Sequence, residues 1–294
     1  MQRRTFIQST VLAGAALAVS GQPAQAATKR GIRKAIMYGT IGAPGSVMEK
    51  MKLAKEAGFE GVEPMGGMNQ DEVVKSLEAT GLKAASVCCH THWAKPLSDA
   101  DPGVRSIGLE GLKQSLRDAK RYGAESVLLV PAVVNKRVAY NDAYTRSQIE
   151  IRKAVPLAEE LGVHISIENV WNQFLLSPME AARYVDEFNS PMVGWHFDIG
   201  NVINFGFPEQ WIRILGKRIQ RLHIKEYSLK RRDEGGPYKG FNVPFLEGDN
   251  DWPSVMKALD EVGYSGWGIA EQGGGGSLEG LKDLAQRMDK IFAS

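Results

Sequence analysis

The sequence predicts a single (β/α)8 barrel, and three observations predict it. Short apolar runs alternate eight times with segments of helical period, each run is apolar on both faces, and a glycine ends helix after helix directly ahead of the next run. A strand without a wet face belongs to a parallel sheet covered by helices. Eight such units in about 260 residues is the size of a closed barrel.

The first run, Ala35–Tyr38, precedes the amphipathic stretch Val47–Ala57, which Gly58 closes. Gly61–Pro64 leads into Asp71–Thr80 and Gly81, Ala84–His90 into Leu109–Tyr122 and Gly123, and Ser126–Val130 into Asp142–Leu161 and Gly162. Glycine at these junctions supplies the left-handed residue that ends a helix. Val163–Glu168 is followed by Pro178–Phe188, and Val193–Asp198 is the sixth run. Arg221–Tyr227 is followed, after a long polar loop, by Trp252–Val262 and Gly263; Trp267–Gln272 is followed by an amphipathic segment from Leu278. The rival fold, an open doubly wound sheet, would carry a glycine-rich nucleotide turn after its first strand. Gly39–Gly45 contains Pro44 and lacks that spacing.

Residues 1–26 are read as an export signal and residues 27–294 as one domain. Arg3-Arg4-Thr5-Phe6-Ile7 resembles a twin-arginine signal, Val11–Val19 is its apolar core, and Ala24-Gln25-Ala26 is a small-residue cleavage site. The expected location is therefore the periplasm. The apolar stretch falls short of the ~20 residues that span a bilayer, so no stable membrane anchor is expected. The whole chain has a net charge of +2. Removing Arg3 and Arg4 brings it to zero, which excludes an electrostatic track for nucleic acid. Cys88 and Cys89 are adjacent in a strand, where side chains alternate faces and a disulfide between them is geometrically poor.

In a barrel of this kind chemistry sits at the C-terminal ends of the strands. Those ends carry Glu63, His90 with His92, Glu168, His196 with Asp198, His223 with Lys225, and Glu271. Four of the five histidines fall in this set, and the fifth, His164, lies at the start of its strand. A lone strand-end glutamate is ordinarily a salt-bridge partner. Glu168, Asp198, His223 and Glu271, converging from four consecutive strands, would repel one another without a cation among them. Hard oxygen donors with one imidazole suit one divalent metal ion, Mn2+ first, with Mg2+, Co2+ and Zn2+ the other candidates.

Together, Gly58-Phe59-Glu60-Gly61-Val62-Glu63, Ile167-Glu168-Asn169, Asp198-Ile199-Gly200-Asn201 and His223-Ile224-Lys225-Glu226 resemble the xylose isomerase-like TIM barrels, a family of sugar and sugar-phosphate isomerases and epimerases. Glu247-Gly248-Asp249-Asn250-Asp251-Trp252 and Gly263-Tyr264-Ser265-Gly266-Trp267, leading to Glu271, continue the likeness over essentially the whole mature chain. The resemblance implies that Glu168, Asp198, His223 and Glu271 hold the metal beside a sugar carbonyl. It also implies that Glu168 and Glu271 are catalytic, one removing the proton from the neighbouring carbon and the other returning a proton from the opposite face.

Glu63, His90, Trp93, His196, Asn201 and Lys225 are then the residues expected to bind the carbohydrate, with Trp171 a second stacking candidate. Asn201 stands where some ketose epimerases of the family carry a histidine a few residues after the aspartate, which leaves the substrate and the reaction open. Gly273–Ser277 ahead of the last helix is a candidate anion turn. Export argues instead for an unphosphorylated ketose or keto-sugar. The alternatives are a lyase or hydratase that eliminates from 3-keto-glycosides, a sugar-binding protein without turnover and, least fitting with so few histidines, a nuclease. A homodimer is the assembly the resemblance suggests, with no residue marking an interface.

Overall fold

The computed structural model describes residues 30–294. The export signal read at residues 1–26 lies outside them. Nine strands form one sheet: β1 (Ile32–Met37), β2 (Gly61–Glu63), β3 (Lys83–Ala84), β4 (Val87–Cys88), β5 (Ser126–Leu129), β6 (His164–Glu168), β7 (Val193–Asp198), β8 (Ile219–Ile224) and β9 (Gly266–Ala270). Every pairing is parallel, and β1 lies between β2 and β9. The helices are α1 (Val47–Glu56), α2 (Gln70–Thr80), α3 (Pro102–Tyr122), α4 (Tyr140–Leu161), α5 (Pro178–Asp186), α6 (Gly200–Ile203), α7 (Pro208–Leu215), α8 (Leu229–Gly235), α9 (Trp252–Val262) and α10 (Leu278–Ala293). All but the short α6 and α8 form an outer ring of eight, so the fold is the expected single α/β barrel.

The third strand differs from the expected Ala84–His90. It is split into β3 and β4, and the split is where the barrel closes. The Ala85 N–H donates to Val62 O, whereas the Cys89 N–H donates to Leu128 O, so the chain passes from one neighbour to the other within a few residues. Strand seven starts at Ile219 and stops at Ile224, three residues before the expected end at Tyr227, because Lys225, Glu226 and Tyr227 turn out into a loop. α3 begins seven residues ahead of Leu109, with Asp101 capping Gly103 N and Pro102 in the first turn. α7, which the sequence reading did not assign, buries Trp211, Ile212 and Leu215 at helical spacing. Four of the five glycine stops are left-handed C-caps, Gly81, Gly123, Gly162 and Gly263, whereas α1 is capped by Ala57 in the right-handed region with Gly58 at positive φ just after it.

Alternation along the strands separates two interiors. Trp195, Phe197, Leu222, Ile224, Ile165 and Ile167 pack outward into the large apolar layer beneath the helices. The other faces point into the barrel, where Ala35, Ala85, Trp267 and Ile269 form a small cluster of their own. Trp267 fills the base only because residue 61 is glycine. A Cβ there would sit 2.7 Å from the indole and 2.9 Å from Lys83 O. Above this plug the inward side chains turn polar: Ser126 and Ser166 share a hydrogen bond of 2.7 Å, and histidines and carboxylates follow. Both cysteines are free buried thiols, and no helix among the described residues is long and apolar enough to cross a membrane.

Gly61→Ala should therefore destabilise the barrel by about 1–3 kcal/mol, the usual cost of overpacking a full core. Equilibrium urea unfolding should show a lower midpoint at unchanged slope.

Candidate active site

Strand register builds the site. Glu168 ends β6 opposite His196, and Asp198 ends β7 opposite His223. Glu271 follows β9 and is fixed by its own N–H, which donates to Ile224 O at 3.0 Å. His223 stands at the centre. Its Nδ1 lies 2.8 Å from Glu168 Oε1 and 3.1 Å from Glu271 Oε2, and its Nε2 lies 3.0 Å from Glu63 Oε2. The Lys225 ammonium bridges Glu271 at 2.8 Å and Asp198 at 3.3 Å. One donor atom from each of Glu168, Asp198, His223 and Glu271 falls within 4.8 Å of the others, so the four residues read as metal ligands do converge.

The electrostatics follow from burial. Desolvation pushes Asp198 up to about 7 against the pull of Lys225, and pushes Glu168 up against that of His223. Glu271 also suffers desolvation, but Lys225 and His223 together hold it well below the usual carboxylate range. His223 is raised, because Glu63, Glu271 and Glu168 outweigh its desolvation. Four carboxylates thus share one ammonium and one imidazole in a low-dielectric pit. That donor set fits a divalent cation: three oxygen ligands and one nitrogen converge, and the far ring nitrogen of His223 is held by Glu63, the usual device for orienting a metal-binding imidazole.

The supporting network sits in the residues adjoining the strand ends. Asp198 Oδ1 accepts the Asn201 N–H at 2.8 Å. Asn169 Oδ1 accepts the N–H of Asp198 and the indole N–H of Trp195, while the Asn169 amide donates to Asp198 O. Gly200 is required because a Cβ there would meet Lys225 O at 2.7 Å. Glu226, fully buried after β8, accepts from Leu246 N, Asn250 N and Trp252 Nε1 and so ties the loop ahead of α9 to the site.

A cavity of about 360 Å3 opens above the carboxylates, with Glu168, His223, Lys225 and Glu271 on its floor. Asn201 also lines it, with its amide nitrogen spent on Asn169 O. Trp93, Trp171, Tyr238 and Phe241 form the rim, Trp171 lying 4.9 Å from Phe241 and 5.2 Å from Tyr238 between ring centres. Tyr238 and Phe241 were missed in the sequence. The polar run Lys230–Pro237 reads as a solvated lid or rim, and it folds into α8 and a 3-10 turn that delivers the two aromatics just beyond it.

Three expected sugar contacts fall elsewhere. His90 is exposed against the Gly66–Gly67 turn and outside the cavity lining, because the strand has ended at Cys88 and the two-residue alternation no longer applies. His92 takes that place; its Nδ1 accepts the Val130 N–H, which leaves the proton on Nε2, and burial lowers its pKa to about 4. Glu63 and His196 are fully buried and absent from the lining, Glu63 behind the imidazole of His223 and His196 packed against it with ring centres 4.2 Å apart.

The glycine run Gly273–Gly276 leads into the cap of α10. Ser277 caps α10 through Gly280 N, and the neighbouring cavity is lined by Asp283 with no basic side chain.

Mn2+ added at a hundred times its Kd should stabilise the chelator-treated protein by about 2.7 kcal/mol, seen as a rise in Tm. Asp198→Asn should weaken Mn2+ binding by at least about 100-fold in titration calorimetry, more than the loss of an outer-sphere partner costs.

Known proteins share this architecture. The chain is 25% identical over 260 residues to L-ribulose-5-phosphate 3-epimerase UlaE of Escherichia coli O1:K1, covering 84% of this chain and 89% of that protein. A D-tagatose 3-epimerase-like protein superposes with a TM-score of 0.73 at 18% identity, over 88% of this chain and 98% of the other. The 3-keto-D-glucoside 4-epimerase YcjR of E. coli superposes at 0.72 with 16% identity and the same coverage. At those identities the two structures speak for the fold alone. The family model for xylose isomerase-like TIM barrels matches residues 51–291, and the chain belongs to that family.

Proposed function

We propose that the protein is a divalent-metal-dependent sugar isomerase or epimerase acting on an unphosphorylated ketose or keto-sugar. The observation that carries this reading is the pair of carboxylates Glu168 and Glu271, both within about hydrogen-bond reach of His223 Nδ1 at the floor of one cavity. Glu168, Asp198, His223 and Glu271 would hold the cation, with Mn2+ the first choice for so oxygen-rich a set. When bound, the cation supplies the Lewis acidity that weakens a C–H bond beside a carbonyl.

The chain's own residues do the rest. One of Glu168 and Glu271 takes the proton from the substrate carbon and the other returns one to the opposite face; the reverse reaction exchanges the roles. His92 offers its Nε2–H to a substrate oxygen. Lys225 balances the negative charge that develops, and the Trp93, Trp171, Tyr238 and Phe241 rings cover the C–H face of the sugar and exclude water.

Lack of a free cation supports an unphosphorylated substrate. Lys225 is the sole basic side chain among the cavity's lining residues apart from its histidines, and it is spent on two carboxylates. An export signal at residues 1–26, a periplasmic location and a homodimeric assembly belong to the same reading, and the first two favour the same choice. The wide aromatic rim favours one second reading, a lyase acting on a 3-keto-glycoside whose second group stacks there. The likeness to a 3-keto-D-glucoside epimerase is compatible with it.

Incubated in D2O with Mn2+ and a panel of ketoses and 3-keto-glycosides, the protein should introduce deuterium at one carbon, followed by NMR. An epimer or isomer supports the main reading, and a released aglycone the second. Absence of exchange in the metal-loaded protein would sink both. Glu168→Gln and Glu271→Gln should each lower kcat by about 10²–10⁴-fold, the range for loss of a general acid or base. Fractionation should find the chain in the periplasm with Ala27 at its N-terminus; an unprocessed cytoplasmic protein would refute the export reading.

A further inference from the structure

Beneath the metal site lies a second set of donors that shares only His223 with it. One donor atom from each of Glu63, His196 and His223 lies within 4.8 Å of the other two, and all three side chains are buried. Neither ring nitrogen of His196 has a hydrogen-bond partner, and neither does Glu63 Oε1. These account for three of the five unpartnered buried side-chain polar atoms among the described residues. A buried polar atom without a partner costs about 1–3 kcal/mol, so such a concentration in one place calls for an occupant.

The surroundings favour a cation. Glu63 is a carboxylate in the barrel interior, and Arg221, the next basic group on β8, is committed to Ala85 O, Gln220 O and Glu125. His223 already faces two ways, its Nδ1 toward Glu168 and Glu271 and its Nε2 toward Glu63.

We propose that Glu63, His196 and Nε2 of His223 form an inner divalent-cation site below the outer one. A cation there takes the place of the proton that Glu63 and His223 share, and that proton leaves to solvent. Two imidazoles and one carboxylate are the donor set of many zinc sites. The outer set, with three carboxylates, is the harder of the two. The inner site should therefore prefer Zn2+, while Mn2+ should load the outer site alone.

The test is metal stoichiometry. Chelator-stripped protein is dialysed against Zn2+ or Mn2+ in a weakly chelating buffer and its metal content is measured, with circular dichroism to check folding. The wild type should retain two Zn2+ but one Mn2+ per chain, and His196→Phe should retain one Zn2+. Glu63→Gln, close in shape to the native residue, should also retain one Zn2+ and carries the comparison if His196→Phe does not fold. A single Zn2+ in the wild type, or two in a folded variant, overturns the inner site.

Discussion

Four carboxylates around one imidazole, three of them buried and Glu271 partly so, are the constraint on which the rest of the structure depends. Glu63, Glu168, Asp198 and Glu271 all reach toward His223, where the low dielectric strengthens their mutual repulsion. Lys225 meets part of that charge by lying between Asp198 and Glu271. The balance has to come from a cation or from protons. The same conflict that makes the cluster costly to fold makes it a candidate site for a divalent ion.

The barrel makes such a cluster tolerable by graded filling. At the base the interior is packed with Trp267, Ala35 and Ile269, with Gly61 clearing space for the indole. Ser126 and Ser166 bond to each other halfway up, and ionisable groups appear only near the top. Closure of the ring needs eight strand positions, and the third is met by the broken pair β3 and β4: β3 pairs with β2, and β4 pairs with β5 while Cys88 also bridges to Met65 just beyond β2.

Loops are tied to the site by buried polar residues. Asn169 and Asn201 bond across the ends of β6 and β7 and fix Asp198 from both sides. Glu226 holds the loop before α9 through three donors, and Gln272 bonds the carbonyls of Phe241 and Val243. Phe241 thereby stands beside Trp171 at the rim. Asn169, Glu226 and Gln272 lie outside the cavity lining, yet with Asn201 they set its shape.

The sequence by itself determined the barrel and the four residues that converge at its mouth. Apolar runs, left-handed glycine stops and a period of two along β6 to β9 are local signals, and local signals suffice to place Glu168, Asp198, His223 and Glu271 on inward faces. Tertiary structure alone decided which other residues share the cavity. His90 and His92 look equivalent until the end of β4 at Cys88 is known, and Glu63 and His196 look exposed to a ligand until His223 is seen to cover them. Tyr238 and Phe241 lie behind a polar run that gives no hint of an aromatic wall. Periodicity reports direction within one strand, whereas depth in a barrel depends on the stagger between strands and on where each loop turns back.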